Sequence, residues 1–321
     1  MATENASFTQ EKTFSTYNAA QGKAYSDLRR DYDPKVYQTI LDQHTSTGGQ
    51  LDTFLDVGCG PGFAARALAP HFTQAIGLDP AEGMVTTARN LTTVASPEFN
   101  NVRFEISTCE ELGSNLTPPI ADGSVDLITA ANAAHWFDMP RFWAAASRVL
   151  KPGGTVAIWT SGPGRIHPSV PNAEAIQAVI DAQQEGELKP YLLPGNTLVR
   201  NHYRDLPLPW TGPLEHRVDG AFDQASFVRL DWPSDQPFYL PGPKDDEGVS
   251  MDIFEKVLAT GSAATRWRQA HPDLVGTEND VLRILRRKIE ALLHDAGVKP
   301  GQERLRGLFD GVILFVKKKA A

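Results

Sequence analysis

Between Leu51 and Trp159, short apolar runs alternate with helix-like stretches, and this alternation leaves few folds open. In chain order the segments read "TFLDVG", "FAARALAPHF", "QAIGLDP", "GMVTTARNLTTV", "VRFEIST", "VDLITAAN", "PRFWAAASRVL" and "GTVAIWT". Strand and helix repeated in this way predict an α/β domain, a parallel sheet with helices on both faces. "LKPGG", Leu150 to Gly154, is expected to end a helix and turn the chain into a strand from Thr155 to Trp159.

The flanks read differently. Residues 1–44 are polar and carry Tyr17, Tyr25, Tyr32 and Tyr37, with a helix opened by Asp33 and Pro34 in its first turn. After Trp159, turn-rich stretches separate helical segments at 173–185, 250–260 and 278–296, while "SFVRLDW" and "GLFDGVILFVKKK" read as two late strands. The expected organisation is an N-terminal lid arm (1–44), a core (45–160), a helical cap containing one returning strand near 226–232 (161–300), and a last core strand (301–321). The basic runs "RILRRKIE" and Lys317 to Lys319 are expected to be a solvated helix face and a frayed end.

"FLDVGCGPGFAARALA" joins the first strand to the first helix of the core and places Gly58, Gly60 and Gly62 at even spacing. In the nicotinamide dinucleotide fingerprint the third glycine lies three positions after the second, a place held here by Phe63, which disfavours that ligand. Glycines let backbone approach a ligand that side chains would exclude, and a helix start offers N–H groups to an anionic end. Asp79 ends the second strand, where its carboxylate can accept from two ribose hydroxyls and also cap the next helix.

With Asp56 ahead of the glycines, "DVGCGPG" resembles the first motif of class I S-adenosylmethionine-dependent methyltransferases. "AHWFD", "YSDLRRDYDPKVY" and "KPGGTVAIW" narrow the resemblance, from about residue 20 to 160, to the fungal trans-aconitate and cantharidin methyltransferase group. It implies a mostly parallel seven-stranded Rossmann-like sheet and transfer of a methyl group from S-adenosylmethionine to a small molecule, with S-adenosylhomocysteine as product. A carboxylic acid or a specialised metabolite methylated on oxygen is the expected acceptor. The cofactor would be held by Asp56, Gly58, Cys59, Gly60, Gly62, Asp79, Pro80, Met84, Thr108, Cys109 and Asn132, with Tyr25 and Arg29 closing from the arm. Tyr32, Trp136, Ser262, Arg266 and Trp267 would meet the acceptor. Met84 is equally at home as core packing and Cys109 as a small buried filler, while for Arg266 a solvated arginine at a helix end is the commoner case. The chain departs from the group at Gly261, where a tryptophan is expected in the trans-aconitate enzymes; losing an indole would open the pocket to another acceptor.

His135 is the candidate catalytic residue. A carboxylate acceptor needs no general base, whereas a hydroxyl or amine acceptor would, and an imidazole with a pKa near neutrality could serve. A structural His135, hydrogen-bonded at the strand end, is the competing reading. The alternative for the whole chain is a protein of this fold that binds the cofactor without methyl transfer.

Composition sets the remaining expectations. The formal charge of −8 argues against nucleic acid as partner. The only two cysteines, Cys59 and Cys109, share no metal-ligand spacing with any histidine and are too few for a disulfide framework, so neither a metal nor an oxidising compartment is expected. The start "MATENASFTQEKTF" lacks the pattern of a signal peptide and no run approaches a membrane span, which suggests a cytoplasmic protein. Oligomeric state leaves no legible mark.

Overall fold

The computed structural model describes residues 12–95, 101–211, 214–218, 220–241 and 248–320; the first eleven residues of the arm lie outside them. The strands are β1 (Thr53–Val57), β2 (Gln74–Asp79), β3 (Val102–Ile106), β4 (Val125–Ala131), β5 (Leu150–Ser161), β6 (Arg165–Ile166), β7 (Phe222–Trp232), β8 (Val249–Ser250), β9 (Arg304–Leu305), β10 (Gly307–Leu308) and β11 (Gly311–Lys318). Seven of them form one sheet in the order β3-β2-β1-β4-β5-β11-β7. Pairing is parallel from β3 through β5 and antiparallel where β11 enters between β5 and β7. The order reverses beside β1, so the carboxyl ends of β1, β2 and β4 face one crevice, the ordinary ligand position in such sheets.

Strand alternation divides the core. In β1, Leu55 and Val57 point toward Phe142, Trp143 and Val149, while Phe54 points the other way toward Ile40 and Leu68. The helices are α1 (Ala19–Leu28), α2 (Pro34–Ser46), α3 (Phe63–Leu68), α4 (Glu82–Ala95), α5 (Met139–Val149), α6 (Ala173–Glu185), α7 (Pro194–Arg200), α8 (Met251–Ala259), α9 (Ser262–Ala270) and α10 (Val281–Asp295). Asp33 caps α2 by accepting from the Lys35 amide, with Pro34 in the first turn. None of the helices among the described residues is long and apolar enough to cross a membrane.

Several elements differ from the sequence reading. The strand expected at 155–159 begins at Leu150 and runs to Ser161, because Leu150 pairs with Val125 ahead of a register shift. The late strand starts at Phe222 rather than Ser226. Lys317 and Lys318 are not a frayed end. Lys317 is only 8% exposed and donates to Thr155 Oγ1, and Lys318 donates to the carbonyls of Ser147 and Leu150. In α10, Arg286 pairs with Asp252 and Glu255 of α8 and with Glu290 on its own helix, so that face joins two cap helices instead of facing water alone.

The arm is held to the core by backbone approach. Gly22 of α1 lies so close to α4 that a Cβ there would stand 2.6 Å from Gly83 O, and one at Gly83 would stand 2.2 Å from Tyr17 O. The Gly83 amide donates to that Tyr17 carbonyl at 3.1 Å. Gly83→Ala is expected to push the arm off α4 with a loss of roughly 1–3 kcal/mol. Urea unfolding would read the loss, and faster proteolysis within α1 would locate it.

Candidate cofactor and acceptor site

The turn after β1 owes its shape to three left-handed glycines, with φ of +64° at Gly58, +53° at Gly60 and +83° at Gly62. A Cβ at Gly58 would stand 2.7 Å from the Ala133 Cβ, and one at Gly62 would stand 2.7 Å from the Phe104 ring. At Gly60 a Cβ would meet nothing within 4 Å, so this residue alone of the three presents bare backbone to open space. The amides of Cys59, Gly60 and Gly62 donate internally, to Leu78 O, Asp79 Oδ2 and Cys59 O. Cys59 packs its thiol with Ala65, Val85, Ala88 and Phe104. Its part in the site is therefore the shape of the turn, through neither its thiol nor its amide.

Two buried carboxylates lie under this turn. Asp79 accepts from the Gly60 amide through Oδ2 and from the Ala81 amide through Oδ1, both at 2.9 Å. Each oxygen keeps a lone pair, so the helix-start and ribose roles are compatible. Asp56 accepts from Thr129 Oγ1 at 2.6 Å, while its Oδ2 has no hydrogen-bond partner among the described residues. Burial raises Asp56 to about 7, with the nearby Asp79 charge adding to it and the Thr129 bond opposing. Burial likewise raises Asp79 to about 6 against its two amide bonds.

Pro80 is exposed between Asp79 and the start of α4. Met84 packs with Ala81 against Tyr17, Phe14 and Tyr25 of the arm, so its side chain is fixed by the lid. Thr108 is bonded to Glu111, and Cys109 is buried in the core cluster beneath the sheet end. Arg29 stands over the Tyr25 ring and donates to Thr260 Oγ1. Tyr32 is buried among Tyr37, Trp159, Phe238 and Tyr239, and stacks on Tyr239.

At the ends of β4 and β5 a neutral network is assembled from distant segments. Asn132 accepts from Thr160 Oγ1 and the Ser161 amide and donates to the Tyr239 hydroxyl, which also bonds Ser161 Oγ. His135 Nδ1 lies 2.7 Å from the Tyr203 hydroxyl. His135 is half-buried, and desolvation pushes its pKa down to about 3. Asp310, at the approach to β11, is engaged by His202 at 3.1 Å. Tyr203, Tyr239 and Ser161 were not signalled by the sequence, since no motif links them to "AHWFD".

The cap residues separate into two roles. Arg266 is not a solvated arginine. It donates to Tyr191 O, Asn196 Oδ1 and Ser262 Oγ in the cap and to Thr13 Oγ1 in the arm, with its guanidinium 6.0 Å from the Trp136 ring centroid. Ser262 also accepts from Asn196. Trp136 is further enclosed by Phe14 and by the backbone of Gly195. Trp267, by contrast, is 8% exposed, stacks on His271 and packs with Leu188 and Leu282, so its indole is spent in the cap core rather than on an acceptor. A separate cavity of about 750 Å³ lies between α6, the β6–β10 ribbon and Asp310; none of the cradle residues lines it. Arg266→Ala is expected to free the arm from the cap, with arm cleavage by a protease roughly tenfold faster, since a half-buried guanidinium hydrogen-bonded several times over is worth more than 1 kcal/mol. An unchanged cleavage rate would show that Arg266 does not hold the arm.

Residues 55–158 match the family described as the methyltransferase domain. A protein of Dictyostelium discoideum named as a methyltransferase is 34% identical over 140 residues, 44% of this chain and 47% of that protein. The Saccharomyces cerevisiae protein CRG1, named as an S-adenosylmethionine-dependent methyltransferase, is 31% identical over 135 residues, 42% of this chain and 43% of its own length. The chain thus spans just under half the length of these curated relatives. A solved structure from Anaeromyxobacter dehalogenans, described as a type II methyltransferase, superposes with a TM-score of 0.54 at 25% identity, covering 91% of this chain and 97% of that one. The open face of Gly60 and the unpartnered Oδ2 of Asp56 suit a ligand with an amino-acid end. With the sheet order and the domain match, they support residues 55–158 as a methyltransferase domain.

Proposed function

We propose that this chain transfers a methyl group to a carboxylate oxygen of a small organic acid, or of a larger metabolite bearing a carboxyl group, and releases S-adenosylhomocysteine. The observation that carries this reading is the methyl-end network, Asn132, Thr160, Ser161, His135, Tyr203 and Tyr239, which contains neither a carboxylate nor a base titrating near neutrality. An acceptor placed there must bring its own ionised lone pair. Cationic Arg29 and Arg266 favour an acid over an amine.

S-adenosylmethionine, when bound, supplies a methyl carbon activated by sulfonium. The cradle at Gly60 would take its amino-acid end, Asp79 the ribose hydroxyls, and Thr108, Cys109 and Met84 would flank the adenine. The arm, through Tyr25 and Arg29, would exclude water, and positioning of the two reacting atoms would supply much of the acceleration. At Gly261 a Cβ would meet only Leu258 O, at 3.1 Å, and no side chain within 4 Å. The room left there supports an acceptor shaped differently from trans-aconitate.

Release of S-adenosylhomocysteine, measured across a panel of carboxylic acids, phenols and amines, tests the reading. Turnover is expected with acids, and turnover with amines alone would overturn it. Proton linkage provides a second test. Asp56 and Asp79 have folded pKa values raised to about 7 and about 6, so they favour the cofactor-free fold when protonated, and that contribution is lost as pH rises through 6 to 7. A cationic ligand favours the ionised carboxylates, so binding expels protons. Affinity is expected to be roughly tenfold higher at about pH 8 than at about pH 6. Calorimetry in buffers of different ionisation enthalpy would read both the affinity and the protons released.

A further inference from the structure

Tyr203 reaches His135 from a part of the chain where the backbone is held in an unfavoured state. His202 and Tyr203, directly after α7, both have left-handed φ, +53° and +57°. Neither is glycine, and such conformations persist only where the surroundings over-determine them. Here His202 is fixed on Asp310, and α7 is fixed against the 134–136 turn, where Gly195 meets His135 O and the Trp136 ring. The result is a phenol that is 2% exposed and aimed at His135 Nδ1 from 2.7 Å.

That bond determines where the imidazole carries its proton. Burial raises the Tyr203 pKa, so the phenol keeps its hydrogen and must donate it. The His135 amide and Thr160 Oγ1 also bond the phenol oxygen, but Thr160 gives its own hydrogen to Asn132, and Nδ1, at 2.7 Å, is the close acceptor toward which the phenol points. Leaving a buried O–H without an acceptor would cost about 1–3 kcal/mol. Nδ1 is therefore the lone-pair nitrogen and the ring proton sits on Nε2, which has no partner among the described residues. The charged group standing nearby is Arg266, over the adjacent Trp136 ring.

We propose that His135 is a fixed hydrogen-bond donor, its tautomer set by Tyr203 as positioning residue, and that Nε2–H binds and aims an acceptor carboxylate. This rests on the reading of the acceptor as a carboxylate. The donor takes one carboxylate oxygen. The other oxygen forms the bond to the methyl carbon as the carbon–sulfur bond breaks, with its electron pair left on sulfur, and no proton moves. His135 stays neutral throughout, because desolvation opposes the imidazolium.

Nitrogen NMR of protein labelled with ¹⁵N-histidine tests the tautomer without any acceptor, with His135 assigned by its absence in His135→Gln. Expected is a protonated Nε2 and an unprotonated Nδ1 from about pH 5 to pH 8, with mixed tautomers in Tyr203→Phe. A protonated Nδ1 in the unsubstituted protein would overturn the proposal. In turnover, His135→Gln retains a donor but cannot serve as the base; it should keep most of kcat with an acid, whereas His135→Leu should lose roughly a hundredfold. A kcat/KM that falls below a pKa between about 6 and 8, in a limb absent from His135→Gln, would make His135 a base and overturn the proposal. Transfer confined to phenols, with the Nε2 proton in place, would instead overturn the carboxylate reading itself.

Discussion

The Asp79 carboxylate is the tie on which the site depends. From the end of β2 it accepts from Gly60, in the turn after β1, and from Ala81, before α4. One buried anion thus sets the distance between two crossovers of a parallel sheet, and neighbouring strand ends become a single surface. Desolvation makes the tie costly, since burial raises Asp79 and Asp56 well above ordinary carboxylates. A cationic ligand would relieve that cost.

From this base the structure is built outward by successive contacts. Gly83 of α4 admits the arm, and the arm brings Phe14, Tyr17 and Tyr25 over Ala81 and Met84. The cap meets the arm through bonds that include Arg29 to Thr260, Arg266 to Thr13 and the backbone pairs Asp33–Phe238 and Leu240–Asp31, with Tyr32 packed on Phe238 and Tyr239. Core, arm and cap each present a donor or an aromatic ring to the space near His135, and none of them encloses that space alone.

Much of the core was legible because its signals are local. The apolar runs matched strands β1 to β4, Asp33 capped α2 at the expected residue, and helices near 173–185, 250–260 and 278–296 were present with small shifts of their ends. The short helices α7 and α9 were not anticipated. α7 has only seven residues, and α9, "SAATRWRQA", hides its apolar face among charges. Lys317 was misread, and the partners of Arg266 and Trp267 were not foreseen, for a common reason. Each side chain takes its role from a partner far along the chain, Thr155, Thr13 and Leu188 respectively, and composition carries no record of such partners.

The sequence by itself determined the sheet and its ligand end, because strand period, glycine spacing and a carboxylate at a strand terminus are properties of a few adjacent residues. Tertiary structure decided what stands around Asn132 and His135. Tyr203, Tyr239 and Ser161 converge on Asn132 and His135 from separate segments. Only that convergence strips water from the imidazole and gives Nδ1 a donor, and it is the loss of solvent, not the identity of the residue, that turns a histidine from a base into a fixed donor.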